Sequence, residues 1–183
     1  MKILQNLRTK IGYYLLCRKV KKKVRNKTYH NFESAATVGI LFDTSRQDEY
    51  EMARNFIHTL VREGKNVKAL GMVNVNEMLN YYVQEDYIKF FSKENISFWC
   101  YPQSVETENF IKKDFDILVN ISSGENLAID YIMGLSDAKF KVSPKLSNDA
   151  FADFILQFGE SVTKNTASII EVICKYLAGV KPA

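Results

Sequence analysis

Short apolar runs alternate with segments of helical period along residues 36–183, and this alternation is the strongest constraint on the fold. The first run, Thr37–Phe42 (TVGILF), is apolar nearly throughout and ends at Asp43-Thr44-Ser45. An amphipathic helix is predicted from about Gln47 to Glu63, with Tyr50, Ala53, Phe56, Ile57 and Leu60 on one face and Gly64 as its stop. A second strand, Val67–Val73, leads to a helix capped by Asn74 or Asn76 that is expected to run to about Lys93. The third strand is placed at Ile96–Tyr101, ended by Pro102, and a short helix at Val105–Lys112. Asp116–Ile121 (DILVNI) reads as the fourth strand, Ser122-Ser123-Gly124 as a turn and Leu127–Leu135 as a helix. Ala138–Val142 is the fifth strand, Phe151–Phe158 is favoured as a sixth, and a last helix is expected over about Thr163–Leu177.

Strands separated by helices imply βαβ units with right-handed crossovers. Strands apolar on both sides belong to a parallel sheet covered on both faces. The predicted fold class is α/β: a single Rossmann-like or flavodoxin-like three-layer domain with a mostly parallel sheet of 5–6 strands, preceded by a basic N-terminal helix. The one break in composition lies near residue 30 and divides the chain into an N-terminal helix or arm, 1–30, and the α/β domain, 31–183.

Charge separates the same two segments. Of 25 bases, ten fall in residues 1–30, which hold no acid; residues 31–183 keep 15 bases against 21 acids. Such asymmetry points to an anionic partner for the head. Its first part, 3–16, fits an amphipathic helix, with Ile3, Leu4, Leu7, Ile11, Tyr14 and Leu15 in a stripe about 120° wide. Beyond Leu16 the same sector turns basic through Arg18, Lys21, Lys22 and Arg25. The expected anion-binding residues are Arg8, Lys10, Arg18, Lys19, Lys21, Lys22, Lys23, Arg25 and Lys27. Their partner could be RNA or a ribosome-like assembly, an anionic membrane surface or an acidic groove on a protein; alternatively 3–16 packs on the domain and 18–27 extends into solvent. No DNA-specific motif occurs, and the oligomeric state is not encoded in any pattern.

Catalytic signals are weak. The first βα turn has no glycine, and neither a G-x-G-x-x-G nor a P-loop pattern occurs. No nucleophile elbow or Ser/His/Asp set can be assembled, so no catalytic residue, metal ligand or cofactor is assigned. The polar residues expected at the carboxyl ends of the strands are Asp43, Thr44, Ser45, Asn74, Asn120, Ser122, Ser123 and Gly124, and Asp43, Thr44, Asn120, Ser122, Ser123 and Gly124 of these outline a candidate ligand pocket. Ser122-Ser123-Gly124 reads as a phosphate-facing turn or, more simply, a helix N-cap. Asp43 reads as a turn or cap residue, His58 as a surface histidine, and His30 as a junction residue. Cys17, Cys100 and Cys174 are widely spaced, which fits a reducing cytoplasm. The run Ile11–Cys17 is at the minimum length for a signal peptide and no small-residue cleavage site follows it.

The lysine-rich head followed by SAATVGILFDTS, GKNVKALGMVN and FDILVNISSGENLAIDYIMGLSDAKFKVS resembles an uncharacterised family of small bacterial α/β proteins, of the Bacteroidota type, over nearly the whole chain. Residues 115–143 also resemble part of one half of heptosyltransferase-like glycosyltransferases, which implies a Rossmann-like fold. The expectation from sequence is a non-enzymatic α/β module, cytoplasmic or peripheral at the membrane from the cytoplasmic side, that docks on an anionic assembly through its head. The alternative is a nucleotide- or sugar-nucleotide-binding protein or transferase whose site lies at the strand ends.

Overall fold

A computed structural model describes residues 2–44, 46–73, 82–83, 85–144, 151–158 and 165–181. Helix α1 spans Lys2–Lys21, and strand β1 spans Thr37–Asp43. There follow α2 (Gln47–Arg62), β2 (Asn66–Val73), β3 (Ile88–Ser92), α3 (Val105–Lys112) and β4 (Ile117–Asn120). The chain continues through α4 (Leu127–Leu135), β5 (Phe140–Pro144), β6 (Phe154–Leu156) and α5 (Thr166–Ala178). The six strands form one sheet in the order β3-β2-β1-β4-β5-β6, and every pairing is parallel. This is the order of doubly wound nucleotide-binding sheets, whose chain reverses direction between β1 and β4.

Alternation along the strands builds two cores. Val38, Ile40 and Phe42 of β1 and Ile117 and Val119 of β4 join Tyr50, Ala53 and Ile57 of α2 and Ile169 and Ile173 of α5. Leu41 and Leu118 face the other way, toward Phe110 and Ile111 of α3 and Ala128, Ile129 and Ile132 of α4. A parallel sheet needs both faces covered because no strand face can be left wet without loss of apolar burial. The second face is covered by short helices, and α1 completes it: Leu16 is fully buried in this core.

The third strand differs from expectation. Ile88–Ser92, expected at the end of a helix reaching Lys93, pairs with Ala69–Val73 as the edge strand. Residues 74–81, where that helix was to begin, lie outside the described residues. Ile96–Tyr101, the expected strand, is a tight loop instead: Ile96 bridges Pro102, Ser97 N–H donates to Tyr101 O at 2.8 Å, and Cys100 closes the turn with φ 64°. Two short apolar runs competed for one edge position, and periodicity alone does not separate such runs. His58 also departs from its surface reading. It is half-buried, with Nε2 3.0 Å from Glu85 Oε1, and Arg54 donates to the same oxygen at 2.8 Å.

Close approach governs how α1 sits. A side chain at Gly12 would put its Cβ 2.5 Å from Trp99 O, and one at Gly134 of α4 would meet Val20 and Leu16 at 2.9 and 3.2 Å. The two glycines let the helix lie against loop and helix backbones, and Tyr131 Oη donates to Gly12 O at 2.6 Å across the contact. Gly12→Ala gains helix propensity of about 1 kcal/mol but forces the Trp99 carbonyl aside at an overpacking cost of about 1–3 kcal/mol. The expected net loss is about 1 kcal/mol in urea unfolding, whereas Gly124→Ala, which meets no atom within 4 Å, should stay within about 0.5 kcal/mol of the parent.

The Glu85 cluster joins α2 to the edge of the sheet. Burial opposes ionisation of Glu85, but hydrogen bonds from Tyr87, Arg54 and His58 outweigh it and bring its carboxyl from 4.5 to about 2. A depressed carboxylate contributes stability that is complete above its unfolded value and disappears as pH falls through the folded one. Acid titration of stability should therefore show the parent losing about 2 kcal/mol more than Glu85→Gln between roughly pH 5 and 2. Parallel curves for the two would remove Glu85 from the acid response.

Candidate functional site

The outward surface of α1 is where sequence and structure diverge most usefully. The stripe of Leu4, Leu7, Ile11, Tyr14 and Leu15 is not the face that packs on the domain. Gly12 and Leu16 are buried, with Tyr13 and Val20 half-buried, on roughly the opposite side at 100° per residue. Leu4, Leu7 and Tyr14 remain 71, 53 and 62 % exposed, and Ile11 and Leu15 are half-buried. Helix α1 therefore carries two apolar faces, an outward stripe over residues 4–15 and an inward face over residues 12–20, and only the second has a seat in the fold. Phe98 and Trp99, 64 and 39 % exposed, lie beside it: the Arg8 guanidinium covers the Phe98 ring and donates to the carbonyls of Ser97 and Phe98.

The basic residues divide into two sets. Lys19 Nζ stands 3.9 Å above the Tyr101 ring, and Lys23 pairs with Asp137 at 2.8 Å. Arg25 contacts both carboxylate oxygens of Asp153 through Nη2 and donates through Nη1 to the carbonyls of Ala138 and Lys139 at 2.9 Å, while Lys27 reaches Asp153 at 3.1 Å. With Arg8, these five hold the N-terminal segment to the domain. Thr28 N–H to Lys139 O and the Asn31 amide to Val180 O continue that attachment toward β1. Lys10, Arg18, Lys21 and Lys22 are exposed and have no acid at ion-pair distance among the described residues. Three of those four share the apolar stripe's sector, one to two turns further on.

The strand-end residues lie together, but most of their polar groups are bonded to neighbouring parts of the fold. Thr44 is buried and donates through both N–H and Oγ1 to Met72 O, and its own carbonyl accepts from Tyr82 Oη. Asn120 is buried too, with Nδ2 donating to Ser143 Oγ and Oδ1 accepting from Ser122 N–H. Ser123 Oγ donates to Glu49 at 2.8 Å, tying the β4 turn to the start of α2. Asp43 is half-buried at the tip of β1, and Gly124 is exposed. Ser122-Ser123-Gly124 does not cap α4; Asn126 does, its side chain accepting from Ala128 N–H at 3.0 Å. Ser122 Oγ is buried with no hydrogen-bond partner among the described residues. Ser45 and Asn74, on either side of this crevice in sequence, lie outside the described residues.

Two cavities lie against α1. One, of about 920 Å³, runs between its first half, Met72 at the end of β2 and the start of α4, with Arg8, Lys10 and Lys93 opposed by Glu125 and Asp130. The other, of about 380 Å³, lies between Val20–Lys27, Gly134 and residues 151–153, over the side chain of Lys141. Sequence reading did not single out Lys141; it lies on β5 between β4 and β6, against Gly134 of α4, and is 2 % exposed.

Among the described residues no three His, Cys, Asp or Glu side chains are grouped to hold a metal ion, the three cysteines are free, and no helix is long and apolar enough to cross a membrane. No curated protein matches the chain. A family model described as a family of unknown function (DUF6913) matches residues 8–179, which takes in most of α1 together with the whole sheet. The chain belongs to this family of unknown function, DUF6913, and the match joins the basic helix and the α/β domain in one unit.

Proposed function

We propose that this protein is a peripheral α/β module that docks on an anionic membrane surface through the outward face of α1. The observation that carries this reading is the exposure of Leu4, Leu7 and Tyr14 on the same helix sector as Arg18, Lys21 and Lys22. A membrane interface takes both halves at once: apolar side chains enter the acyl boundary and bases meet anionic headgroups. Trp99 and Phe98 beside the helix suit the same depth, where amphipathic rings concentrate. RNA would engage the bases but leave Leu4 and Leu7 in water, and Lys23, Arg25 and Lys27 are already tied to Asp137 and Asp153. Four free bases at about 1 kcal/mol each near an anionic surface, with two leucines entering the interface, support reversible binding rather than permanent anchoring.

Flotation with phosphatidylcholine vesicles, with and without phosphatidylglycerol, tests the reading. Binding should require the anionic lipid, weaken at high salt and shift the emission of Trp99, the one tryptophan in the chain, to the blue. Leu4→Ser with Leu7→Ser should weaken it at least tenfold, and replacing Lys10, Arg18, Lys21 and Lys22 by Gln should reduce it by about a thousandfold. Sedimentation with ribosomes or RNA but not with vesicles would overturn it.

A second reading, a nucleotide-type ligand at the strand ends, is favoured by the buried Ser122 hydroxyl beside the β1/β4 reversal. A thermal-shift panel of nucleotides and sugar nucleotides tests it; stabilisation lost in Ser122→Ala is the expected result, and a flat panel removes it.

A further inference from the structure

Lys141 is a buried cation with an unusual setting. It sits on β5 between Phe140 and Val142, which face the α2/α5 core, so its side chain points to the α1/α4 side. The ammonium donates to Gly134 O at 3.1 Å. No carboxylate stands at ion-pair distance from it among the described residues. The acids nearby are engaged: Asp153 takes Arg25, Lys27 and the Lys141 backbone N–H, and Asp137 takes Lys23. Among the described residues, four cations (Lys23, Arg25, Lys27 and Lys141) line the 380 Å³ cavity with one acid, Asp153, while Asp137 pairs with Lys23. Burying an ammonium costs several kcal/mol unless a counter-charge comes with it, and an apolar residue here would pack against Gly134, Val20 and Phe151 with no such cost.

We propose that this cavity is a binding site for a small oxyanion, a phosphate or carboxylate group, whose charge completes the pairing of Lys141. The cavity's size suits a small solute, and Arg25 and Lys27 at its rim present the remaining positive charge. The protonation of Lys141 is coupled to occupancy. Burial, with Arg25 as the next contribution, lowers its value from 10.5 to about 7, while Asp153 and Asp137 pull upward and Lys23 downward. Binding an anion favours the ammonium, so affinity should fall as pH rises through neutrality and binding should take up a proton.

Calorimetric titration of the full chain with sodium sulfate and with sodium acetate, each at ionic strength matched with sodium chloride, tests this. Sulfate stands for the tetrahedral class and acetate for the planar one, and neither changes protonation between about pH 6 and 8. Saturable binding of at least one is expected, roughly tenfold tighter at pH 6 than at pH 8. Lys141→Met should remove both the binding and its pH dependence, while Lys175→Met on exposed α5 surface should not. The methionine chain fills the same space without a charge, so the variant should fold at least as well as the parent. If it does not fold, proton uptake by the parent, measured in buffers of different ionisation heat at pH 8, decides: uptake approaching one proton supports the site, and none overturns it. Binding of neither anion, or binding unchanged in folded Lys141→Met, overturns it as well.

Discussion

The close approach of α1 to α4 is the contact on which the rest of the molecule depends. Gly12 and Gly134 remove the two side chains that would hold the helix away, and Leu16 and the Tyr131 hydroxyl then fix its rotation. Once that rotation is set, the Leu4–Leu7–Tyr14 stripe has nowhere to go but outward. The same placement brings Val20 and the following basic residues over Lys141 and so makes the wall of the smaller cavity. One packing decision thus creates both the exposed apolar surface and the cationic cavity over Lys141.

The positive charge of the head is accordingly shared between two tasks. Lys23, Arg25 and Lys27 act as fasteners, and the Arg25–Asp153 pair is largely desolvated, with the other guanidinium nitrogen held by the Ala138 and Lys139 carbonyls. Lys10, Arg18, Lys21 and Lys22 remain in solvent, where a surface charge contributes little to folding and is available for association. Positive charge spread along the head is divided by which acids the fold carries to it.

Much of the architecture was legible. Helices α3 and α4 fall on the residues their periodicity marks, and β1, β2 and β4 lie within one residue of their apolar runs or extend them by one. These segments are read well because a strand covered on both faces, or a helix with a single buried stripe, leaves an unambiguous pattern. The third strand was not legible, since Ile96–Tyr101 is the longer and more apolar of two short runs and only pairing with β2 selects Ile88–Ser92. The α4 cap was misread for a related reason. Ser122-Ser123-Gly124 and Asn126 are all good cap chemistry, and the choice rests on where the backbone first turns helical. Of the strand-end residues, sequence located the right crevice but not that Thr44, Asn120 and Ser123 would bond within it.

By itself the sequence determined the layer architecture, the helix face buried by α2, and the concentration of positive charge in the first thirty residues, because each is written in local periodicity or composition. Only the tertiary structure decided which of two apolar faces of α1 docks, which bases of the head are consumed in pairs, and that Lys141 is buried beside a cavity. The reason is common to all three. Each depends on residues about a hundred positions apart, Gly12 with Trp99 and Tyr131, Arg25 with Asp153, Lys141 with the segment after α1. Complementarity of shape and charge across such distances leaves no periodic trace along the chain.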